Sequence, residues 1–245
     1  MLMDLSYFAI GCVTLTALLV GFSKTSVGGV GILAVLLMAM AFPGKASPGV
    51  LLPMLIVADI FAVIYYRRDC NWSILIRILP MTAVGIFIGY LIVDLIPFEV
   101  FEKVIGFIIL AMVVMGLVLD RYKQSFKGSG LWTYLVGVVA GVVTMIANAA
   151  GPVFGVFLLQ MGLTKASFVG TRSWYFLLLN IFKVPFSANL GLITVDTLKL
   201  NLIFIPVIFV GAWLGVKFLK MINLTAFTWL IRITALVAAV RLILF

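Results

Sequence analysis

The chain has no histidine, only two cysteines and little charge. Asp, Glu, Lys and Arg make up 10% of its 245 residues, where a soluble domain has about a quarter. Without histidine it lacks the commonest metal ligand and the usual proton relay near neutral pH. Cys12 lies inside an apolar run and Cys70 in a loop, so neither a metal site nor a disulfide is expected of them. No polar stretch is long enough to build a soluble domain. What fills the chain is apolar: 65% of residues are hydrophobic and the mean hydropathy is +1.32. That much apolar surface cannot be hidden in a soluble core. The composition therefore argues against a soluble enzyme, a disordered tail and a nucleic-acid module, and for lipid as the solvent. The net charge of +9 is read as asymmetry between membrane loops. The start, Met1-Leu2-Met3-Asp4, has no basic n-region, and the apolar run after it is too long for a signal peptide, so a permanent span is expected there.

Ten apolar segments stand out: 5–22, 26–42, 48–66, 72–93, 100–119, 131–147, 149–163, 166–186, 198–216 and 224–244. In hydrocarbon each must be helical, because every backbone group needs a partner within the chain. An all-α integral membrane protein is therefore expected. The stretch 120–130 (DRYKQSFKGSG) is the only linker-like one. It separates a first membrane repeat, 1–119, from a second, 131–245.

The loops after spans three, five, seven and nine hold Arg67, Arg68, Arg121, Lys123, Lys127, Lys165, Lys217 and Lys220; the opposite side holds Lys45, Lys103, Lys199 and Arg241. Eight basic residues against four make the first side cytoplasmic. Both termini are then expected to be periplasmic, in a cell inner membrane.

The halves echo one another. Lys45-Ala46-Ser47 recurs as Lys165-Ala166-Ser167, and Asp59-Ile60-Phe61 as Asn180-Ile181-Phe182. Gly85 and Gly89 recur as Gly211 and Gly215, and Ile96…Phe101 as Ile222…Phe227. Five segments per half is an odd number, so the second copy should be inverted, the usual plan of secondary transporters. The glycine pairs read as small-residue packing seams. Segments 26–42 and 149–163 are short, and each follows a tight corner, GFSKTSVGG at 21–29 and MIANAAGP at 145–152. The hairpins 5–42 and 131–163 either span fully or are re-entrant. Short, glycine-interrupted segments at matching places are a sequence pointer to a transporter binding site.

Several polar residues sit where lipid makes them costly. At the first corner, Lys24 offers charge, Thr25 and Ser26 offer hydroxyls, and Gly28 frees the backbone for an anion at a helix end. The blander reading makes Lys24 one more loop charge. At the second corner Asn148 offers an amide and Gly151 close backbone approach. Segment 166–186 adds Thr171, Arg172, Asn180 and Lys183. Arg172 and Lys183 share a face about 16 Å apart along the axis, and Arg172 either serves the site or snorkels to the cytoplasmic end. Asp59 is the only acid deep in a span. It is expected to balance charge, by pairing with Lys24, Arg172 or Lys183, or by taking up a proton. Arg232 has no evident role.

These strings resemble the TauE/SafE family of sulfite and organosulfonate exporters. The likeness runs over almost the whole chain. It rests on GFSKTSVGG, KAS and ADIFAVIYYRRDCNW in the first half, and on TMIANAAGP, MGLTKASFVGTRSW and NIFKVPFSANLGLIT in the second. The second corner, ANAAGP, has fewer glycines than many members carry. The resemblance implies export of small sulfur oxyanions, sulfite or organosulfonates; the repeat plan adds alternating access, and no cofactor and no catalytic residues are expected in a chain without histidine and with one deep acid. The partners expected are a small anionic substrate and the lipid bilayer, with no nucleic acid; a homo-oligomer stays open. An inside-negative potential would assist export of a monoanion by about 2.3 kcal/mol per 100 mV. An anion channel or an importer of another small solute is the alternative.

Overall fold

The computed structural model describes residues 6–26, 30–93, 130–159, 161, 163–221 and 223, with isolated positions in 95–121 and 233–243. The fifth and tenth apolar segments and the 120–130 linker fall largely outside these residues. Among the described residues there are eight helices and no strand. They are α1 (Tyr7–Thr25), α2 (Gly31–Ala41), α3 (Ala46–Tyr66), α4 (Trp72–Val93), α5 (Gly130–Ala147), α6 (Gly151–Leu159), α7 (Lys165–Asn189) and α8 (Val195–Met221).

Local chemistry sets the helix ends. Ser6 caps α1 by accepting from the Ala9 amide at 3.2 Å, and Thr164 caps α7 by accepting from Ser167 at 3.2 Å. Asp196 sits in the first turn of α8 and Lys220 in its last, each favoured by the helix dipole. Between α5 and α6 the chain turns at Asn148, whose φ of 52° is left-handed, a conformation that asparagine tolerates better than most residues.

Four helices, α1, α3, α4 and α8, are long and apolar enough to cross a membrane. At 25 residues α7 is also long, but its buried polar stripe lowers its hydropathy. By contrast α2, with 11 residues, and α6, with 9, are about 16 and 14 Å long, half of a hydrocarbon core of about 30 Å.

α3 is the central element, with 67% of its span buried, against 33% for α4 and 28% for α8. The outer helices turn large apolar side chains outward, among them Ile76, Phe87 and Leu91 of α4 and Leu202, Phe209 and Trp213 of α8. In water such a belt would be an aggregation surface; facing lipid it costs nothing. α3 packs on α7, α1 on α8, and α4 on α5. The glycine pairs sit in the last two contacts, as seams. A Cβ at Gly85 would overlap the Val138 carbonyl, and one at Gly211 the Leu18 carbonyl. So α4, from the first half of the chain, lies on the hairpin of the second half, and α8 lies on the hairpin of the first.

Candidate functional site

The two hairpin corners meet in the middle of the protein. A cavity of about 40 Å³ lies between them, walled by Ser23, Lys24 and Gly31 from the first hairpin and by Thr144, Asn148, Ala149 and Gly151 from the second. Leu55 from the middle of α3, with Arg172, Phe176 and Asn180 from α7, completes the wall. That volume holds roughly three water molecules, the scale of a small oxyanion.

Charge in this centre is arranged pairwise. The Lys24 ammonium lies 2.8 Å from each oxygen of Asp59, so of the three partners open to Asp59 the structure selects Lys24. Asp59 is 0% exposed. The Asn180 amide donates to Asp59 Oδ2 at 2.6 Å, so α3 and α7 meet directly at these two residues. The ring of Phe176 lies under the Lys24 ammonium, 4.4 Å from its centroid, a cation–π contact. Lys24 is therefore not a loop charge.

Arg172 is buried and does not snorkel. Its Nη2 donates to the carbonyls of Ser23, Lys24 and Ser26 at 2.6, 3.0 and 2.8 Å. These carbonyls lie at the C-terminal end of α1, where a cation is favoured. Lys183 does the same for α5. Its ammonium donates to the carbonyl and hydroxyl of Thr144 at 3.0 and 3.1 Å, and to Asn148 Oδ1. Three acceptors match the three protons of an ammonium. One helix, α7, thus clamps the C-terminal ends of both corner helices with two buried cations. Asn148 also donates to the Pro48 carbonyl at 2.8 Å, tying its corner to α3.

Of the residues singled out from sequence, Lys24, Asn148, Gly151, Arg172 and Asn180 line the cavity; Asp59 and Lys183 bond directly to that wall. Thr25, Ser26 and Thr171 are not in the wall. Thr25 Oγ1 donates to the Ala212 carbonyl at 2.8 Å and joins α1 to α8. Ser26 Oγ donates to Phe22 of its own helix at 2.6 Å. Thr171 Oγ1 accepts from the Asn71 amide at 2.8 Å, in the loop between α3 and α4. Gly28 lies outside the described residues, and Arg232 does too. Among the wall residues that sequence reasoning did not place in the site are Phe176, Thr144 and Leu55, besides Ser23, Gly31 and Ala149 at the corners. Phe176 was findable, since 172, 176 and 180 recur every four residues and share one helix face. Thr144 lies one turn before the second corner. Leu55 carries no signal in an apolar segment.

Lipid-facing helices around a buried, charged centre define an integral membrane protein. The chain belongs to the sulfite exporter family TauE/SafE, which matches residues 13–242, nearly its whole length. None of the curated proteins and none of the solved structures matches it. The family is described as one of sulfite exporters, which makes it a membrane transporter family.

Proposed function

We propose that this chain is a secondary transporter that exports sulfite or an organosulfonate across a cell inner membrane by alternating access. The observation that carries the reading is the shared cavity. Two hairpin corners, each followed by a short helix, place a lysine held by a single internal acid against a space of oxyanion size. An anion that enters there meets Lys24, which can exchange one carboxylate for another oxyanion. Arg172 and Lys183 act by holding the corners, and their charge adds to the positive field of the wall.

On this reading the two hairpin corners lie near the midplane and the repeats 1–119 and 131–245 are inverted copies, joined by the cytoplasmic linker 120–130, with both termini periplasmic. The exchanged packing supports it: α1 lies on α8 as α5 lies on α4, and α3 lies on its own equivalent α7. Rocking the two α3–α7-anchored halves against each other would open the cavity to one side at a time.

The test is calorimetric titration of purified protein with sulfite, thiosulfate, methanesulfonate, taurine and chloride, followed by flux measurements in proteoliposomes. Saturable binding and flux of a sulfur oxyanion are expected. Binding of none of these, or single-channel currents in place of saturable flux, would refute the reading.

A further inference from the structure

Four buried side-chain polar atoms among the described residues lack a hydrogen-bond partner, and two of them, Asp59 Oδ1 and Asn180 Oδ1, belong to neighbouring side chains at the cavity. Asn180 Oδ1 is buried and has no hydrogen-bond partner among the described residues. A buried acceptor without a donor is uncommon and calls for a reason. Its orientation is fixed, because the other end of the amide must donate to Asp59 Oδ2. A carboxylate can only accept, so it cannot serve a second acceptor. A carboxylic acid can: it carries one O–H donor. A protonated Asp59 beside Asn180 is the acid–amide pair, in which the amide N–H donates to one carboxyl oxygen and the acid O–H donates to the amide oxygen.

The charges around Asp59 say when that proton is needed. α1 contributes Lys24 and α7 contributes Arg172 and Lys183. α2 contributes no titratable residue, and the charged residues of α8, Asp196, Lys199, Lys217 and Lys220, lie at its ends. Arg172 and Lys183 are bonded to helix-end carbonyls and to Asn148. Lys24 alone forms an ion pair with Asp59 among the described residues. In the empty site Lys24 and Asp59 neutralise each other. An anion that takes Lys24 leaves Asp59 with no cation bonded to it, since Arg172 and Lys183 stay on their helix-end carbonyls, and puts a second negative charge beside a buried carboxylate; taking up a proton relieves both.

Resting on the transport reading, we propose that Asp59 and Asn180 form a proton-binding pair, and that each anion entering at Lys24 travels with one proton on Asp59. The step balances. One proton from the entry side joins the Asp59 carboxylate, the Lys24 ammonium passes from Asp59 to the anion, and both changes reverse on the exit side. A monoanion then crosses with no net charge. The membrane potential neither helps nor hinders it, and direction follows the combined anion and proton gradients.

The experiment uses the full chain in proteoliposomes, with flux into protein-free vesicles subtracted. The probes are methanesulfonate, and sulfite at mildly acidic pH where hydrogensulfite predominates. The expected result is flux of at least one of them that is unchanged by an imposed potential, with one proton entering per anion by an internal pH dye. Titration in weakly buffered detergent gives a second readout. Anion binding should take up one proton, and above the Asp59 midpoint affinity should fall tenfold per pH unit. Asp59→Asn should bind with no proton uptake and a flat pH profile. Flux that carries charge, or wild-type binding with no proton uptake, overturns the proton pair while leaving transport standing. Absence of both flux and binding for both probes overturns the transport reading itself, and the proton pair with it.

Discussion

Lys24 and Asp59 should move anion affinity in opposite directions. Lys24 is held by two oxygens at 2.8 Å and by the face of Phe176 at 4.4 Å. An arriving oxyanion inherits the hydrogen bond that Asp59 gives up. Hydrogen bonds to charged groups contribute about 1.5–3 kcal/mol, so Lys24→Ala should weaken binding roughly 10- to 150-fold. The Asp59→Asn side chain keeps an oxygen for Asn180 and removes the competing charge. Binding should therefore tighten, by at most about the same factor, while release slows and transport falls. Transport is thus lost in both variants while affinity diverges. Calorimetric titration of a sulfur oxyanion into both purified variants decides the matter. If Lys24→Ala binds like wild type, the anion lies elsewhere; if Asp59→Asn binds more weakly, Asp59 supports the ligand instead of competing with it.

Other outcomes follow from the same geometry. Arg172→Ala removes the charged donor that the end carbonyls of α1 share and should cost about 1.5–3 kcal/mol, the scale of a hydrogen bond to a charged group; thermal unfolding in detergent reads this, and an unchanged midpoint would contradict the clamp. Gly211→Leu must push α8 off the Leu18 backbone and should abolish folded, monodisperse protein on size-exclusion chromatography, whereas Gly11→Ala, with open space at its Cβ, should be neutral. Burial pushes the Cys70 thiol up to about 11, against a smaller opposing effect of its hydrogen bond with Thr171. Because the thiolate is the nucleophile, maleimide labelling of Cys70 should be slow at about pH 8 and should accelerate as pH rises toward that value. A single cysteine at position 125 should resist impermeant reagents in intact cells while one at the C-terminus reacts, as the basic-loop count requires; the reverse pattern inverts the topology.

Much of the molecule was legible in the chain itself. Lipid rewards apolarity uniformly, so hydropathy, a local property, reveals helices such as α3, α4 and α8 without knowledge of what they touch. Helix ends are local too: Ser6, Thr164 and the turn at Asn148 act within a few residues. The corners with Lys24 and Asn148, and the likeness of the strings around Asp59 and Asn180, are likewise written in one dimension. Partnership is not. Nothing local determines that Arg172 reaches carbonyls 146 to 149 residues away, or that Thr25 faces Ala212 across a seam instead of the cavity. Hydroxyls and cations look alike in sequence whether they meet a ligand or a helix end. The rotation and depth of each packed helix decide which, and these are set by steric fit at glycines such as Gly85 and Gly211. Only when α1, α3 and α7 are packed together does one acid find one lysine and one amide, and only then does an amide oxygen stand buried without a donor.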